Sequence, residues 1–349
     1  MKIVTFYSFK GGVGRTSALI NTAYLLAARQ GADVIVADWD IHAPGLTCLY
    51  DMQTPEGSRL RPGIADMLAS LANAEPGSQV LDPAGLLEPT RVGQRIAAAR
   101  GKGDIWCIPA GAFDPGDEAS PYLATVQALR PNIEGLAQAG SADLVTWFGE
   151  RVEAGFVART GRKPGYLLLD ARTGLTEVGD LLLNASIEQV VLLFGLNRQN
   201  QLGMEQMLRR LVQGFGPANV AGRVILVASP VPAGEEVLKA KKLAAAKETI
   251  ERVVEELSRK ASAGDANPIR PAPPALLTIP YHPLLALDEE IITERYPGSD
   301  PGQAYERLTE ALRIRVPGEV AGATEAVARA VSRIQVEGEE QDRAIPQGE

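Results

Sequence analysis

The sequence predicts a doubly wound α/β fold, in which a mostly parallel sheet is covered by helices on both faces. Three observations predict it. Short apolar runs of strand length recur along the 349-residue chain, helical patterns separate most of them, and the first run leads through a glycine-rich turn into a helix. Strands that alternate with helices are joined by right-handed crossovers into one mostly parallel sheet.

The first βαβ unit lies at the start of the chain. Residues 2–8 are rich in β-branched and aromatic side chains, and residues 16–30 are good helix formers that stop at Gly31. Residues 33–38 (DVIVAD) form a short apolar run that ends in a carboxylate, which is typical of a strand buried on both faces of a parallel sheet. A strand, a helix and a second strand are therefore predicted in this order.

Later apolar runs bring the predicted strand count to about seven. They lie at residues 105–109, 166–170, 190–196, 224–229 and 276–280. Helical patterns separate most of these runs, at residues 141–155, 201–213, 235–262 and 303–314. The alternation of strands and helices thus continues to the C-terminal part of the chain.

One domain is predicted over residues 1–335. Two stretches rich in Gly, Pro and Ala, at about 51–101 and 110–140, are predicted to be insertions around the strand at 105–109, and the first holds one short helix at 62–72. Residues 336–349 (VEGEEQDRAIPQGE) carry little that could be buried, so a disordered acidic tail is expected. The insertions are expected to form the surface most specific to this protein.

Composition and charge argue against several classes of function. The net charge of −8 and the pI near 5.1 do not suit wholesale nucleic-acid binding. Cys48 and Cys107 belong to no C-x-x-C pair, so neither a disulfide framework nor a zinc or iron–sulfur site is predicted. No run has the roughly 18 apolar residues of a membrane span, and no secretory leader is expected, because the sequence opens directly on an apolar strand. The sequence predicts a soluble, cytoplasmic protein.

A glycine-rich loop joins the first predicted strand to the first helix, and its composition suits a polyphosphate. Glycines let consecutive backbone N–H groups converge on phosphate oxygens, and the helix N-terminus adds partial positive charge. A cationic side chain before the helix can reach the β- and γ-phosphates, and a hydroxyl beside it can ligate Mg²⁺. The candidate nucleotide-binding residues are Lys10, Gly11, Gly12, Val13, Gly14, Arg15, Thr16 and Ser17.

The loop departs from the general pattern G-x-x-x-x-G-K-[ST] at two positions, with Phe9 in place of the first glycine and Arg15 in place of the lysine. It matches the form K-G-G-x-G-[KR]-[ST], which has an additional early lysine, here Lys10. This form resembles the deviant Walker A loop of the ParA/MinD-like ATPases, a family of SIMIBI-class P-loop NTPases. The resemblance implies that ATP and Mg²⁺ bind here, and that Lys10 reaches across a homodimer interface to the partner's nucleotide.

Carboxylates lie at the carboxyl ends of two predicted strands, where a phosphate-binding loop needs acidic groups to hold Mg²⁺. The second strand leads into Asp38 and Asp40, and the strand at 166–170 (YLLLD) ends at Asp170 before a glycine-containing loop. Because the carboxyl ends of parallel strands meet at one edge of the sheet, these groups are expected beside the phosphate loop. The alternative for Asp38 and Asp40 is an ordinary surface turn, and the alternative for Asp170 is an ordinary capped strand end.

The same resemblance assigns roles to these residues. The segment after the second strand is similar to a switch I element, in which Asp40 orients the attacking water and Asp38 supports the loop or the metal shell. The YLLLD strand looks like a Walker B strand with switch II attached, so that Asp170 holds Mg²⁺ through a water and 173–174 senses the γ-phosphate. The candidate catalytic residues are Lys10, Asp40 and Arg15, and the candidate metal residues are Thr16, Asp38 and Asp170.

The resemblance also extends to the second half of the chain. It implies that the end of the strand at 190–196 faces a dimer partner, and that Ser229–Pro230 and residues 280–283 line a pocket for the base. Residues 324–334 carry a weak amphipathic pattern, which favours a docked helix over a membrane anchor. A basic stretch at 239–247 is flanked by glutamates, which favours a solvated helix face over a nucleic-acid site.

The function implied by the resemblance is a slow Mg²⁺-dependent ATPase that dimerises with ATP bound and engages a partner protein. Arginine keeps the charge of lysine but not its geometry, so Arg15 leaves the hydrolysis rate open. The alternative is a nucleotide-dependent scaffold that does not hydrolyse. A bacterial tyrosine-kinase relative would have a tyrosine-rich tail, and no tyrosine follows Tyr305.

Overall fold

An eight-stranded sheet forms the centre of the fold. Its strands are Lys2–Ser8 (β1), Val34–Asp38 (β2), Glu88–Pro89 (β3), Ile105–Ile108 (β4), Tyr166–Asp170 (β5), Gln189–Phe194 (β6), Val224–Val231 (β7) and Ala275–Pro280 (β8). Their spatial order is β3-β4-β2-β5-β1-β6-β7-β8, and the short edge strand β3 alone is antiparallel to its neighbour. The computed structural model describes residues 1–46, 61–74, 80–112, 121–138, 141–174, 179, 181–184, 186–262, 271–286 and 290–313.

Helices cover both faces of this sheet. They are Arg15–Gln30 (α1), Ile64–Ala72 (α2), Arg91–Ala97 (α3), Pro121–Gln138 (α4), Ser141–Thr160 (α5), Arg198–Phe215 (α6), Val220–Arg223 (α7), Glu236–Ala261 (α8), Ile292–Arg295 (α9) and Asp300–Arg313 (α10). Residues of α1, α3, α9 and α10 form one buried apolar cluster with the sheet, and residues of α2, α4, α5, α6 and α8 form the other. The predicted doubly wound α/β class is confirmed.

The strands are apolar along most of their length because both of their faces are covered. In β1, Val4 and Phe6 belong to the cluster that contains α1, whereas Ile3 and Tyr7 belong to the cluster on the opposite face. Successive side chains of a strand point to opposite sides of a sheet, so a strand buried on both sides needs apolar residues at consecutive positions. This explains why continuous apolar runs, and not alternating ones, mark the strands in the sequence.

The strand order brings the predicted carboxylates to the end of β1. The strand β5 lies between β2 and β1, and its last residue, Asp170, is in register with Asp38 on one side and with Phe6 on the other. The chain leaves β1 towards β2 on one side, while β6 lies on the other side of β1. Ligands of open α/β sheets bind at such a change of direction, beyond the carboxyl ends of the strands.

Two sequence expectations need correction. The sheet has one strand more than the seven predicted, because β3 is only two residues long and includes Pro89, so it leaves no apolar pattern. The stretches interpreted as insertions hold more helix than the short one predicted at 62–72: α3 lies in the first stretch and α4 in the second. Their alanine and glycine content hides the helical periodicity.

Several expectations from the sequence concern residues outside the described ranges, and others concern the membrane and the cysteines. The acidic tail at 336–349 and the amphipathic pattern at 324–334 lie outside the described residues, as does Cys48. Within the ranges that the structure describes, no helix combines the length and the apolar character needed to cross a bilayer. Cys107 is buried in the cluster around α1, in line with its expected role as a small apolar residue.

The helix α2 docks with its first turn on the end of β4. The backbone N–H groups of Ile64 and Ala65 donate to the carbonyls of Pro109 and Ala110, at 2.9 and 2.8 Å. Gly63 makes this approach possible, because a Cβ atom there would lie 2.2 Å from the Pro109 carbonyl oxygen. The helix α4 packs in turn on α2. These two helices, which we call the α2/α4 layer, are therefore fixed to the sheet at the same edge as the carboxylates.

We expect Gly63→Ala to lower the free energy of unfolding by about 2 kcal/mol, because the added methyl group meets backbone atoms that have little room to move. Gly214→Ala is the matched control. Its Cβ atom would meet nothing within 4 Å, and Gly214 lies in the last turn of α6, so alanine should stabilise the protein by about 0.5 kcal/mol. Urea unfolding followed by circular dichroism measures both changes. Equal effects of the two variants would contradict the docking described for α2.

Candidate functional site

The loop between β1 and α1 forms an open cradle of backbone N–H groups. Gly12 and Gly14 have φ angles of 77° and 75°, a left-handed conformation that favours glycine. Cβ atoms built on Gly11 and Gly12 would meet nothing within 4 Å, and both residues are exposed, so the loop is open at these positions. Gly14 is the N-cap of α1, which places the unpaired N–H groups of the first helical turn at the same point. A glycine-rich loop at a helix N-terminus is a setting in which polyphosphates bind.

Phe9 explains why the first glycine of the general loop pattern is absent. A Cβ atom on Gly203 of α6 would lie 2.1 Å from the Phe9 ring, so the ring packs directly on the backbone of that helix. The first position of the loop is therefore a packing position between β1 and α6. This contact could not be predicted from the sequence, because a glycine inside a helix has several explanations.

The hydroxyl of Thr16 and the carboxylate of Asp170 meet below the cradle. Thr16 Oγ1 donates to Asp170 Oδ2 at 2.7 Å. Thr16 lies in the first turn of α1 and Asp170 ends β5, so the pair joins the helix to the adjacent strand. Asp170 is 1% exposed and is therefore held in a site largely closed to water.

Arg15 turns inward and bridges two carboxylates. Its Nε donates to Asp170 Oδ1, and its Nη2 donates to Asp40 Oδ2 at 2.9 Å. The Arg15 side chain is only 8% exposed, and Asp40 is 7% exposed. A guanidinium has donors spread over a planar fork, so it can bind both acids at once, which a lysine ammonium at the end of a single stem does less well.

The charges in this cluster do not balance. Burial alone would lower the pKa of the Arg15 guanidinium, but the charges of Asp170 and Asp40 more than offset it, so the pKa is raised and Arg15 stays charged. Burial raises the pKa of Asp170, although Arg15 opposes this effect. Burial and the charge of Asp170 also raise the pKa of Asp38 to about 7. One guanidinium therefore lies among three buried carboxyl groups, which favours the approach of a further cation.

One donor of Arg15 remains unused. Its Nη1 is buried and finds no hydrogen-bond partner among the residues that the structure describes. A buried donor without a partner costs free energy, which an acceptor oxygen from a ligand would recover. The Arg15 fork can therefore hold both carboxylates and still donate one hydrogen bond to a bound group.

Asp38 organises the loop that follows β2. Its Oδ1 accepts from the N–H of Asp40, and its Oδ2 accepts from the N–H groups of Gly45 and Leu46, each at 3.1 Å. Asp38 is fully buried and so draws together the two ends of the segment 39–46, which we call the β2 loop. Asp38 thus holds the β2 loop through these hydrogen bonds, and a role for Asp38 as a metal ligand stays a prediction.

The β2 loop also contacts the segment after β5. Arg172 Nη1 and His42 Nδ1 are 2.9 Å apart. A hydrogen bond therefore joins the two loops that resemble switch I and switch II in sequence. Tyr7 at the end of β1 donates to the carbonyl of Gly174 at 2.5 Å. The sequence predicted both loops but not these contacts, because neither pairing follows from spacing along the chain.

Most of the residues predicted for the site do come together. Arg15, Thr16, Asp40 and Asp170 form one hydrogen-bonded cluster, and Asp38 lies directly behind it. Lys10 is half-buried in the loop and has no ion pair within the described part of the chain. Arg15, expected to reach the phosphates, instead contacts the carboxylates, so its contact with a nucleotide stays a prediction. Ser229 lies against the loop, because a Cβ atom on Gly14 would be 3.4 Å from its hydroxyl oxygen.

The oxygen donors of Thr16 and Asp170 suit Mg²⁺ bound together with a nucleotide better than a metal ion bound by protein side chains alone. Among the described residues there is no group of three or more His, Cys, Asp or Glu side chains arranged to hold a metal ion. Mg²⁺ is usually bound through one or two protein oxygens together with waters and substrate phosphates. Thr16 and Asp170 offer such oxygens beside the open cradle, so the residues present fit this ion in combination with a nucleotide.

Solved structures of MinD and McdA share this fold. MinD from Pyrococcus horikoshii, in complex with Mg-ADP, has a TM-score of 0.54 and 16% sequence identity over 89% of this chain and 96% of its own. McdA from Cyanothece has a TM-score of 0.57 and 15% sequence identity in each of two structures. The match covers 89% of this chain and 99% of McdA in the structure without nucleotide, and 91% of this chain and 99% of McdA in the D38A–ATP complex. No protein-family model matches the chain. No curated protein matches it significantly either.

We expect Arg15→Met to lower the free energy of unfolding by about 3 kcal/mol or more at pH 8, because it leaves buried carboxylates without a cation. The loss should shrink as the pH falls. Without Arg15 the pKa of Asp170, which burial already raises, rises further, so protonation removes the unpaired charge well above pH ~4. Urea unfolding at several pH values measures this difference.

The matched control for this variant is Arg95→Met. Arg95 forms an exposed ion pair with Glu294 at 3.2 Å and is 63% exposed, so its removal should cost about 0.5 kcal/mol or less. Arg15→Lys keeps the charge but not the fork and should fall between the two. A pH-independent loss for Arg15→Met would show that the ion pairs described here do not determine its stability.

Proposed function

We propose that this chain, which has the fold of MinD and McdA, is a Mg²⁺-dependent ATP-binding protein that hydrolyses ATP slowly and acts as a nucleotide-dependent dimerisation switch. The observation that carries the proposal is the Thr16–Asp170 hydrogen bond at 2.7 Å beneath an open glycine loop at the N-terminus of a helix. A strand end with an acid, a hydroxyl in the first helical turn and a cradle of N–H groups is the arrangement used for Mg²⁺-bound polyphosphates. The MinD–Mg-ADP and McdA–ATP structures are consistent with it.

The binding step uses the backbone of the loop. The N–H groups of residues 11–16 would surround the phosphate oxygens, and Thr16 and Asp170 would hold Mg²⁺, which supplies charge stabilisation at the phosphates when bound. The unused Nη1 of Arg15 would donate to an oxygen of the terminal phosphate while the other two donors keep Asp170 and Asp40 in place. Arg15 would therefore contribute through positioning as well as charge.

The hydrolysis step needs a group that orients water. Asp40 is the carboxylate for this role, because it lies on the β2 loop and is fixed by Arg15 at 2.9 Å. A carboxylate that accepts a hydrogen bond from the attacking water aligns it with the phosphorus atom. Lys10 would add its positive charge to the nucleotide of a second protomer, since it has no ion pair of its own among the described residues. Engagement of a partner protein would follow dimerisation.

One observation favours a second candidate function, a nucleotide-dependent scaffold without hydrolysis. Two of the three donor nitrogens of Arg15 are held by carboxylates, and its ion pair restrains Asp40. If both groups keep these contacts when nucleotide is bound, the site would bind ATP but orient water poorly. Nucleotide binding is common to both candidates, and turnover separates them.

We expect the wild-type chain to release phosphate from ATP at a low rate that depends on Mg²⁺. Asp40→Ala should lower this rate by a factor of about 100 or more while ATP binding changes little, because the carboxylate acts on water and not on the nucleotide. Thr16→Ala should weaken Mg²⁺-dependent binding itself. A phosphate-release assay and calorimetric titration with ATP measure the two quantities.

The control for Asp40 is Asp300→Asn, an exposed carboxylate at the start of α10, which should leave turnover unchanged. Phosphate release that is absent from the wild type, with ATP binding intact, would favour the scaffold. Failure of the wild type to bind ATP with Mg²⁺ would overturn the proposal altogether.

Dimerisation gives a separate prediction. With ATP and Mg²⁺ the chain should double in mass in size-exclusion chromatography with light scattering, and Lys10→Ala should prevent this while each protomer still binds ATP. Lys163→Ala is the control, because Lys163 is 83% exposed and precedes β5 at the opposite end of the sheet. A wild-type mass unaffected by nucleotide would count against Lys10 acting across an interface.

A further inference from the structure

Internal hydrogen bonds hold part of the β2 loop. Asp38 accepts from the N–H groups at both ends of the loop, and the N–H of Ala43 donates to the carbonyl of Asp40 at 3.1 Å. A further contact from outside, beside those of Arg15 with Asp40 and of Arg172 with His42, comes from α4. The hydroxyl of Tyr122 donates to the carbonyl of Ile41 at 2.6 Å, directly after Asp40 in the chain. The backbone beside the candidate water-orienting residue is therefore fixed by a side chain of α4.

Tyr122 itself has little freedom to move. It is the second residue of α4 and is 3% exposed. Its ring lies against the backbone of Gly111, where a Cβ atom would be 2.4 Å from the ring. Gly111 has a φ of 153° and closely follows β4, on which α2 docks. The aromatic ring of this α4 residue is thus fixed against the segment after β4, and its hydroxyl reaches from α4 to the β2 loop.

The hydrogen bond has a fixed direction. Burial, with the charges of Asp38, Asp66 and Asp40, raises the pKa of Tyr122 well above its ordinary value, so the phenol keeps its proton. Ile41 is fully buried, and a buried carbonyl needs a donor. Tyr122 supplies it. A phenylalanine could fill the same space in the core but would leave the Ile41 carbonyl without this donor.

We propose that Tyr122 is a positioning residue for the β2 loop, and that its hydrogen bond to Ile41 fixes the backbone from which Asp40 extends. The α2/α4 layer thereby determines where Asp40 lies relative to Arg15 and the phosphate cradle. The anchoring of the loop stands independently of ATP. Its consequence for hydrolysis rests on the proposed function, in which Asp40 orients the attacking water.

The first test measures the loop without nucleotide. Hydrogen–deuterium exchange of the full chain compares Tyr122→Phe with the wild type and with Tyr305→Phe, which removes the hydroxyl of a buried tyrosine in the cluster on the other face of the sheet. In Tyr122→Phe the amides of Asp40, Gly45 and Leu46 should exchange about fivefold faster or more, since one buried hydrogen bond is lost. The amides of β1 should not change, which separates loop opening from global unfolding.

Two results would overturn the anchoring: unchanged exchange in the β2 loop of Tyr122→Phe, or the same acceleration in Tyr305→Phe. The second test measures turnover. Tyr122→Phe should lower kcat on the order of tenfold and leave the KM for ATP within a factor of about two, because the cradle is intact and Asp40 is misplaced. Tyr305→Phe should leave kcat unchanged.

The two tests fail in different ways. A wild type that hydrolyses no ATP, together with faster loop exchange in Tyr122→Phe, would sink the proposed ATPase and uphold the anchoring. An active wild type whose kcat is unaffected by Tyr122→Phe would overturn the link between the α2/α4 layer and Asp40. A lower melting temperature alone, with exchange and kcat of the wild type, would reduce Tyr122 to a packing residue.

Discussion

The rest of the site depends on one buried ion-pair cluster, in which the guanidinium of Arg15 lies between the carboxylates of Asp40 and Asp170. These acids come from loops and strands that are far apart in the sequence, and like charges held close together in a closed site would repel each other. The arginine removes this repulsion and at the same time sets the spacing of the two acids. The cation of the loop is therefore part of the framework of the candidate site.

Arg15 has a role in this arrangement that a lysine at the same position would fill less well. Judged by the loop alone, Arg15 is a departure that keeps charge and loses geometry. Seen with Asp40 and Asp170, it gains a geometry that a single ammonium group does not provide, because two donors bind acids and a third stays available. The charge and the shape of the guanidinium then act together in holding the two acids.

The fold and the members of the site could be predicted from the sequence to different extents. Continuous apolar strands and the glycine-rich loop are local patterns, so the sheet, α1 and the positions of Thr16, Asp40 and Asp170 follow from them. The orientation of Arg15 does not follow, because it depends on which acids lie within reach in three dimensions. The contacts of Phe9 with Gly203 and of Tyr122 with Ile41 join segments far apart in the chain, and single residues carry no mark of a distant partner.

The packing of Phe9 on Gly203 ties the start of the loop to α6. The loop begins at a ring wedged onto α6, and α6 starts at the same edge, where Asn197 caps its first turn by accepting from the N–H of Asn200 at 2.9 Å. A glycine at position 9 would let the loop flex without disturbing its neighbours. The aromatic ring instead packs on the backbone of α6, so the start of the loop cannot be displaced towards that helix without moving it.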